Sequence, residues 1–454
     1  MGNKWTKNLA LTLATIIVLT AASCGRGRSV SDEPEPTLTK EPITLEYWRL
    51  FEESDVLDQF IENYQRQHPN ITIEVKQVDF QPGETIYDYQ QELTKLIADG
   101  AGPDMFMIHN SWLPYHINQI EPMPSGFMSN REFGNTFPDF VTDDFVSNDR
   151  IYAVPYSIDN LMLYYNTDIF AQERLSPPKT LQELVDIIPK LTEKDGSGRI
   201  TRSAIALGAD TSSIPRAADI LATLMMQYGA VMTSPDKSTA TFNLPSPNSN
   251  PPYFAAREAL AYYTQFADPG STNTYTYTDA TNSAGNRLLP IDIQAFMEGK
   301  AAMFIGNAYH VENIQRFAPN RFRFDTVELP QLQLQDPVNI TNYWGETVSK
   351  TSKHPNEAWD FINYMTERNN INYYTRESNT VPSRTDLLEI YTGRRYYGPV
   401  AKQASFSTSW YRPNTPQIEE IFSKMINDVV KNDVTPEIAI ETAVRDINAL
   451  NPNR

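Results

Sequence analysis

Residues 150–184 read RIYAVPYSIDNLMLYYNTDIFAQERLSPPKTLQEL, and the chain is organised around them. Ile151, Ala153 and Pro155 run into Tyr156-Ser157-Ile158-Asp159, and then into Leu161-Met162-Leu163-Tyr164-Tyr165. That last run is apolar at successive positions, the pattern of a strand buried on both faces. Pro155 supplies no N–H and suits an extended, linking segment more than a central ladder. Asn166-Thr167-Asp168 can cap a short helix. Pro177-Pro178 then leads into Thr180-Leu181-Gln182-Glu183, a capping box that opens a second helix. An extended crossing segment thus carries one carboxylate, Asp159, into a new buried strand.

Working outward toward the N-terminus, Ile43, Leu45 and Tyr47 alternate as a first strand, and Ser54 can cap a helix with Val56, Leu57, Phe60, Ile61 and Tyr64 on one face. Ile71, Ile73 and Val75 alternate again. Strand, helix and strand in about 35 residues is a βαβ unit and implies a parallel pair. Tyr89, Leu93, Leu96 and Ile97 form another helical stripe, and Asp104-Met105-Phe106-Met107-Ile108 a third strand. In open α/β sheets ligands sit beyond the carboxyl ends of such strands, here Trp48 to Glu53 and His109 to Trp112.

With 454 residues, 40% hydrophobic and 21% charged, the chain fits two or more domains of an ordinary globular body. Its net charge of −18 argues against broad binding to nucleic acid or anionic membranes. Lys4 and Lys7 precede LALTLATIIVLTAA, which has the length of a signal-peptide core, and Ala21-Ala22-Ser23 precede Cys24, the only cysteine. This junction resembles the bacterial lipobox, with Ala21 where Leu is usual, and implies a signal peptide over 1–23 and a lipid on Cys24. Residues 25–42 have Gly, Ser, Pro and charge without periodicity; fully extended, this tether reaches roughly 60 Å. A single cysteine allows no disulfide within the chain.

The ordered phrases of the chain resemble the family 1 extracellular solute-binding proteins of ABC importers, the maltose-binding-protein-like group. In the central stretch the resemblance rests on Tyr152-Ala153-Val154-Pro155, Leu163-Tyr164-Tyr165-Asn166 and Pro177-Pro178-Lys179-Thr180, with Leu181 in place of the usual Trp. Upstream it rests on Trp48, Phe60, His68-Pro69-Asn70-Ile71 and Val75, and on Gly100, Gly102, Pro103 and Asp104. Downstream it continues through Ala295-Phe296, Gly299-Lys300-Ala301-Ala302-Met303 and Gly306, then Asn342-Tyr343-Trp344-Gly345, the helix from Pro355 to Met365, Val381-Pro382-Ser383-Arg384, and two helices over Pro416–Val430 and Pro436–Leu450. It spans about 43–450 and diverges most at 230–290 and 390–415.

The resemblance implies a two-lobe α/β fold of the type II periplasmic-binding-protein class, with mainly parallel sheets and hinge crossings near 155, 343 and 388. One lobe would be 43–155 plus 344–388 and the other 156–343 plus 389–454. It implies capture of a sugar or oligosaccharide outside the cell membrane, by lobe closure, for delivery to ABC permease subunits, by a monomer held on the membrane through its lipid. The ligand contacts it implies are Trp48, Glu52, Ser111, Trp112, Tyr156, Asp159, Asn307, Tyr309, Trp344, Gly345 and Trp410. A sugar site needs aromatic faces for the ring and polar groups for its hydroxyls. Asp159 aligns with an acidic contact in some sugar-binding members and ranks first.

No catalytic or metal-binding signature stands against this. GxSxG, HExxH, P-loop, GxGxxG and CxxC are missing, and the five histidines form no i, i+3 or i, i+4 pair. His109 and His116 read as surface or supporting groups. Asp195-Gly196-Ser197 lacks the later carboxylates of a calcium loop. No cofactor is expected. Two alternatives stay open: a polyamine or other cationic solute, suggested by the acidity, and a secreted glycan-acting enzyme.

Overall fold

The computed structural model describes residues 36–51, 55–80, 85–267, 291–412 and 414–450. The expectations for Cys24, the leader, the Ser54 cap and Glu52 lie outside the described residues. No described helix is long and apolar enough to cross a membrane.

Strand β1 (Ile43–Arg49) pairs parallel with β2 (Ile71–Gln77), from Ile43↔Ile71 to Arg49↔Gln77. Helix α1 (Val56–Gln67) joins them and buries Val56, Leu57, Phe60, Ile61 and Tyr64, the stripe that the 3.6-residue period requires. Helix α2 (Ile86–Ala98) leads to β3 (Met105–His109), which is buried throughout and lies parallel to β1 on its other side. Beyond β3 the sheet gains the return strand Trp344–Ser349 and then Ile120–Glu121.

Parallel pairing ends at β3, which corrects the expectation of mainly parallel sheets. The return strand runs antiparallel to β3, from Trp344↔His109 to Val348↔Met105. The chain re-enters this sheet at the end where β3 leaves it, so it must run the opposite way. The second sheet follows the same logic. Strand Met162–Asn166 enters from the crossing and lies antiparallel to both neighbours, Met303–Gly306 and Phe324–Glu328. Among the described residues, parallel contacts around this sheet are the single bridges Thr180↔Gln331, Ser203↔Ala301 and Ala206↔Phe304. The double-sided burial read from the sequence holds: Met162 and Tyr164 face one apolar cluster with Phe304 and Phe324, while Leu161 and Leu163 face another with Leu221 and Phe422.

Between the two sheets several segments run side by side. Val154 bridges Glu346 and Asn160 bridges Thr341, both antiparallel, and the Asn342 N–H donates to the Asp159 carbonyl at 3.0 Å. Ser157–Ile158 pairs antiparallel with Val381–Pro382, and Ser383 Oγ donates to the Pro155 carbonyl at 2.6 Å. Ser407–Thr408 pairs parallel with Asn339–Ile340, in a stretch where the sequence offered no motif. The helix after Pro177-Pro178 runs Leu181–Leu191, with the Glu183 N–H donating to Thr180 Oγ1 at 3.1 Å; Pro189 falls in its last turn.

A cleft lined by aromatic rings and arginines

The carboxyl ends of β1 and β3 and the start of the return strand converge. Trp344 stands opposite His109 in register. Around its indole lie Phe51 at 5.7 Å, Trp112 at 5.1 Å and His109 at 5.3 Å between ring centroids, all edge-on. Phe80 extends the group, 6.3 Å from Phe51. Trp112 is buried, Trp344 half-buried, and Phe51 is 55% exposed at a left-handed φ of 58°. Strand alternation turns the next residue back, Tyr343, to the opposite face, against Phe140 and Phe145.

His109 is fixed by three contacts. The Ser111 N–H reaches its Nδ1 at 3.3 Å, with Ser111 Oγ at 2.9 Å from the same nitrogen, so Nδ1 accepts and Nε2–H donates to Asn342 Oδ1 at 3.1 Å. Burial, reinforced by the charge of Arg412, pushes its pKa down to about 3, and the ring is neutral at ordinary pH. Ser111 and Asn342 thus position a ring of the cleft wall. His109 and His116 are both buried, so of the surface or supporting roles read from the sequence the surface one is excluded; His116 is held between Gln90 and Gln119.

On the other side, the Asp159 carboxylate caps the turn that starts helix His310–Phe317. The Ala308 N–H donates to both of its oxygens, at 2.9 and 3.0 Å, and the Asn160 N–H to one at 2.7 Å. Burial outweighs these hydrogen bonds and pushes the carboxyl up to about 7. Asn307, 1% exposed, lies close enough to favour the ionised carboxylate, yet neither of its amide atoms completes a hydrogen bond. Tyr309 is 53% exposed and leans on His310 with ring centroids 4.0 Å apart.

Next to Tyr309 two arginines grip one carboxylate. Arg412 Nη1 lies 2.8 Å from Asp219 Oδ1, and Arg216 Nη1 lies 3.1 Å from Asp219 Oδ2. Burial would raise the Asp219 carboxyl, but Arg412 and then Arg216 hold it below its ordinary value. Arg412 also acts on His109 across the gap, and Arg216 interacts with Tyr309. The Asp219 cluster thus lies within electrostatic range of both His109 and Tyr309. Arg216, Asp219 and Arg412 were not singled out from the sequence, Phe51 entered only within the strand-end range Trp48 to Glu53, and His109 was read as a surface or supporting group; the available signal for the cluster was Asp219, a lone charge inside the apolar helix Ala217–Gln227.

Other expected site residues lie elsewhere. Trp48 is 3% exposed, its indole N–H donating to Glu46 Oε1 at 2.6 Å and its ring lying 3.8 Å under the Lys76 ammonium. Tyr156 joins a buried network in which Arg49 pairs with Glu346, the Tyr47 hydroxyl donates to Glu346 at 2.6 Å, and Arg49 Nη2 donates to the Tyr374 hydroxyl at 2.8 Å. At Gly345 an added Cβ would stand 2.6 Å from the Phe145 ring and 3.0 Å from Ala153, so close packing requires the glycine. Trp410 lines a cavity of about 430 Å³ with Phe140, Asp144, Lys237 and Tyr411, on the Tyr343 side of the return segment, away from Trp344.

Two α/β lobes with hydrogen-bonded crossings between them define a type II solute-binding protein. Residues 51–369 match the bacterial extracellular solute-binding protein family, and the chain belongs to that family. It is 20% identical over 370 residues to the multiple sugar-binding protein of Streptococcus mutans, covering 80% of this chain and 79% of that one. It is 21% identical over 427 residues to the maltodextrin-binding protein MdxE of Bacillus subtilis, covering 92% and 90%. The cyclic α-maltosyl-1,6-maltose binding protein of Arthrobacter globiformis has the same fold, with a TM-score of 0.72 at 18% identity over 91% of this chain and 100% of that one.

Proposed function

We propose that the protein captures a sugar or oligosaccharide in the cleft and presents it, lobes closed, to the permease subunits of an ABC importer. The observation that carries this reading is the Phe51–Trp112–Trp344 cluster at the carboxyl ends of β1 and β3, beside the segments that run between the two sheets. Aromatic faces cover the C–H surfaces of a sugar ring, and the polar wall takes its hydroxyls. The names of the two sugar-binding relatives point the same way. The lobes we assign are 43–155 plus 344–388 and 156–343 plus 389–454. A ligand that prefers the closed arrangement drives closure by that difference in affinity. The cationic solute suggested by the overall acidity is disfavoured by the arginines of the cleft.

A thermal-shift and calorimetric screen of saccharides and polyamines tests this, with analysis for released product. Saturable saccharide binding without product is expected; binding of polyamines alone, or turnover, would contradict it. The protein is further proposed to be a monomer, without cofactor or nucleic-acid partner, anchored outside the cell membrane by a lipid on Cys24. Cys24→Ser should then move it from the membrane pellet to the soluble fraction, and retention in the pellet would remove the anchor.

A further inference from the structure

A run of contacts joins Tyr309 to Trp344 through Asp159. The Asp159 carboxylate takes the Ala308 N–H on both oxygens, at 2.9 and 3.0 Å, and so fixes the turn that carries Tyr309. The Tyr164 hydroxyl donates to the Asn307 carbonyl of the same turn at 2.5 Å. The main-chain carbonyl of Asp159 accepts the Asn342 N–H at 3.0 Å, and Asn342 Oδ1 accepts from His109 Nε2 at 3.1 Å. His109 packs edge-on to Trp344, 5.3 Å between centroids. Every link is a hydrogen bond or a ring contact, made where the two crossing segments run side by side and Asn160 bridges Thr341. With the Asn160 N–H on Oδ1 at 2.7 Å, both carboxylate oxygens already serve backbone donors.

We propose that Asp159 is a positioning residue for saccharide capture: its carboxylate sets the Tyr309 turn, and its main chain, through Asn342 and His109, ties that turn to the Trp344 ring. This rests on the saccharide reading above and adds the residue that holds the two rings in one geometry. A sugar then meets a turn already in place and does not have to order it on binding. An ionised carboxylate accepts from every one of these donors, whereas a protonated one turns a hydrogen toward an N–H. Burial places its titration at about 7, so affinity should be full near pH 8 and fall as pH drops through that value. The hydroxyls of Tyr164, Tyr309 and Tyr397 face it, raised by burial and neutral throughout. His310, beside the turn, is held uncharged by burial and then by Arg216, which is itself paired with Asp219. Stability moves the other way. The folded carboxyl lies above its ordinary 3.8, so folding takes up a proton here and this group stabilises the fold more as pH falls through about 7.

The test is calorimetric titration of the purified chain with maltotriose, cellobiose and mannobiose, and with spermidine for comparison, over a double-mutant cycle of Asp159→Ala and Tyr309→Ala. For the sugar that binds, Asp159→Ala should lose about tenfold to a hundredfold in affinity, the range for a hydrogen bond to a charged group, and much less once Tyr309 is replaced. Asp159→Asn keeps the side chain's shape should the alanine variant not fold. It should melt as a folded protein and bind weakly, with the pH dependence of affinity gone. Full affinity in either folded Asp159 variant overturns the inference. So does an equal loss with and without Tyr309, the mark of a carboxylate that touches the sugar itself. Both results leave the saccharide reading standing, whereas binding of spermidine with none of the sugars overturns that reading and this inference together.

Discussion

Glu346→Ala should cost about 3–5 kcal/mol of stability, the range found when one partner of a buried ion pair is removed. Arg49 and Glu346 are 3% and 2% exposed, and the pair ties the end of β1 to the return strand. The Tyr47 hydroxyl loses its acceptor in the same step, and the buried Arg49 guanidinium loses this carboxylate partner. The loss is large because a buried ion pair is broken from one side, not because the intact pair is worth so much. Glu121→Ala is the control. Its pair with Lys350 is partly solvated and should contribute no more than about 1 kcal/mol. Denaturant unfolding of both variants measures the difference; similar losses would contradict the role assigned to the buried pair.

Trp344→Ala should weaken saccharide binding by about thirtyfold or more, corresponding to the ~2 kcal/mol or more that a central aromatic contact contributes. The indole has Phe51, Trp112 and His109 edge-on around it, and such packing holds a flat face in place for a sugar ring. Trp344→Phe keeps an aromatic face and should recover a good part of the affinity. Because Trp344 is only half-buried, the folded fraction should change little. Calorimetric titration with unfolding curves checks both points, and unchanged affinity in folded Trp344→Ala would take this residue out of the site.

Much of the fold was legible because burial writes a period into the sequence. Ile43, Leu45 and Tyr47 alternate because one face of β1 is buried, and the α1 stripe follows from a helix lying on that sheet. The run from Leu161 to Tyr165 was readable because both of its faces meet apolar clusters. Strand direction was not readable in the same way, since it depends on where a distant segment re-enters the sheet.

The cleft was harder to read, for reasons of register and range. Strand β1 continues to Arg49, past the last alternating residue, so Trp48 stays within the sheet and Phe51 is the ring that reaches Trp344. Tyr343 and Gly345 both meet Phe145 while Trp344 between them meets Trp112, because a strand turns successive side chains to opposite faces. Asp159 was correctly placed on a crossing, but a carboxylate in an extended segment gives no sign that the turn at Ala308, 149 residues later, will use it as a cap. Arg412 and Asp219 are 193 residues apart, and no local pattern announces that they meet.

Closure around a bound saccharide is the central claim, and small-angle scattering measures it most directly. The profile should be recorded on the purified chain without ligand and with a saccharide at a concentration that saturates its calorimetric curve. The radius of gyration should fall on saturation, as the Trp344 wall moves toward Tyr309 and the arginines. An unchanged profile at full saturation would contradict capture by closure.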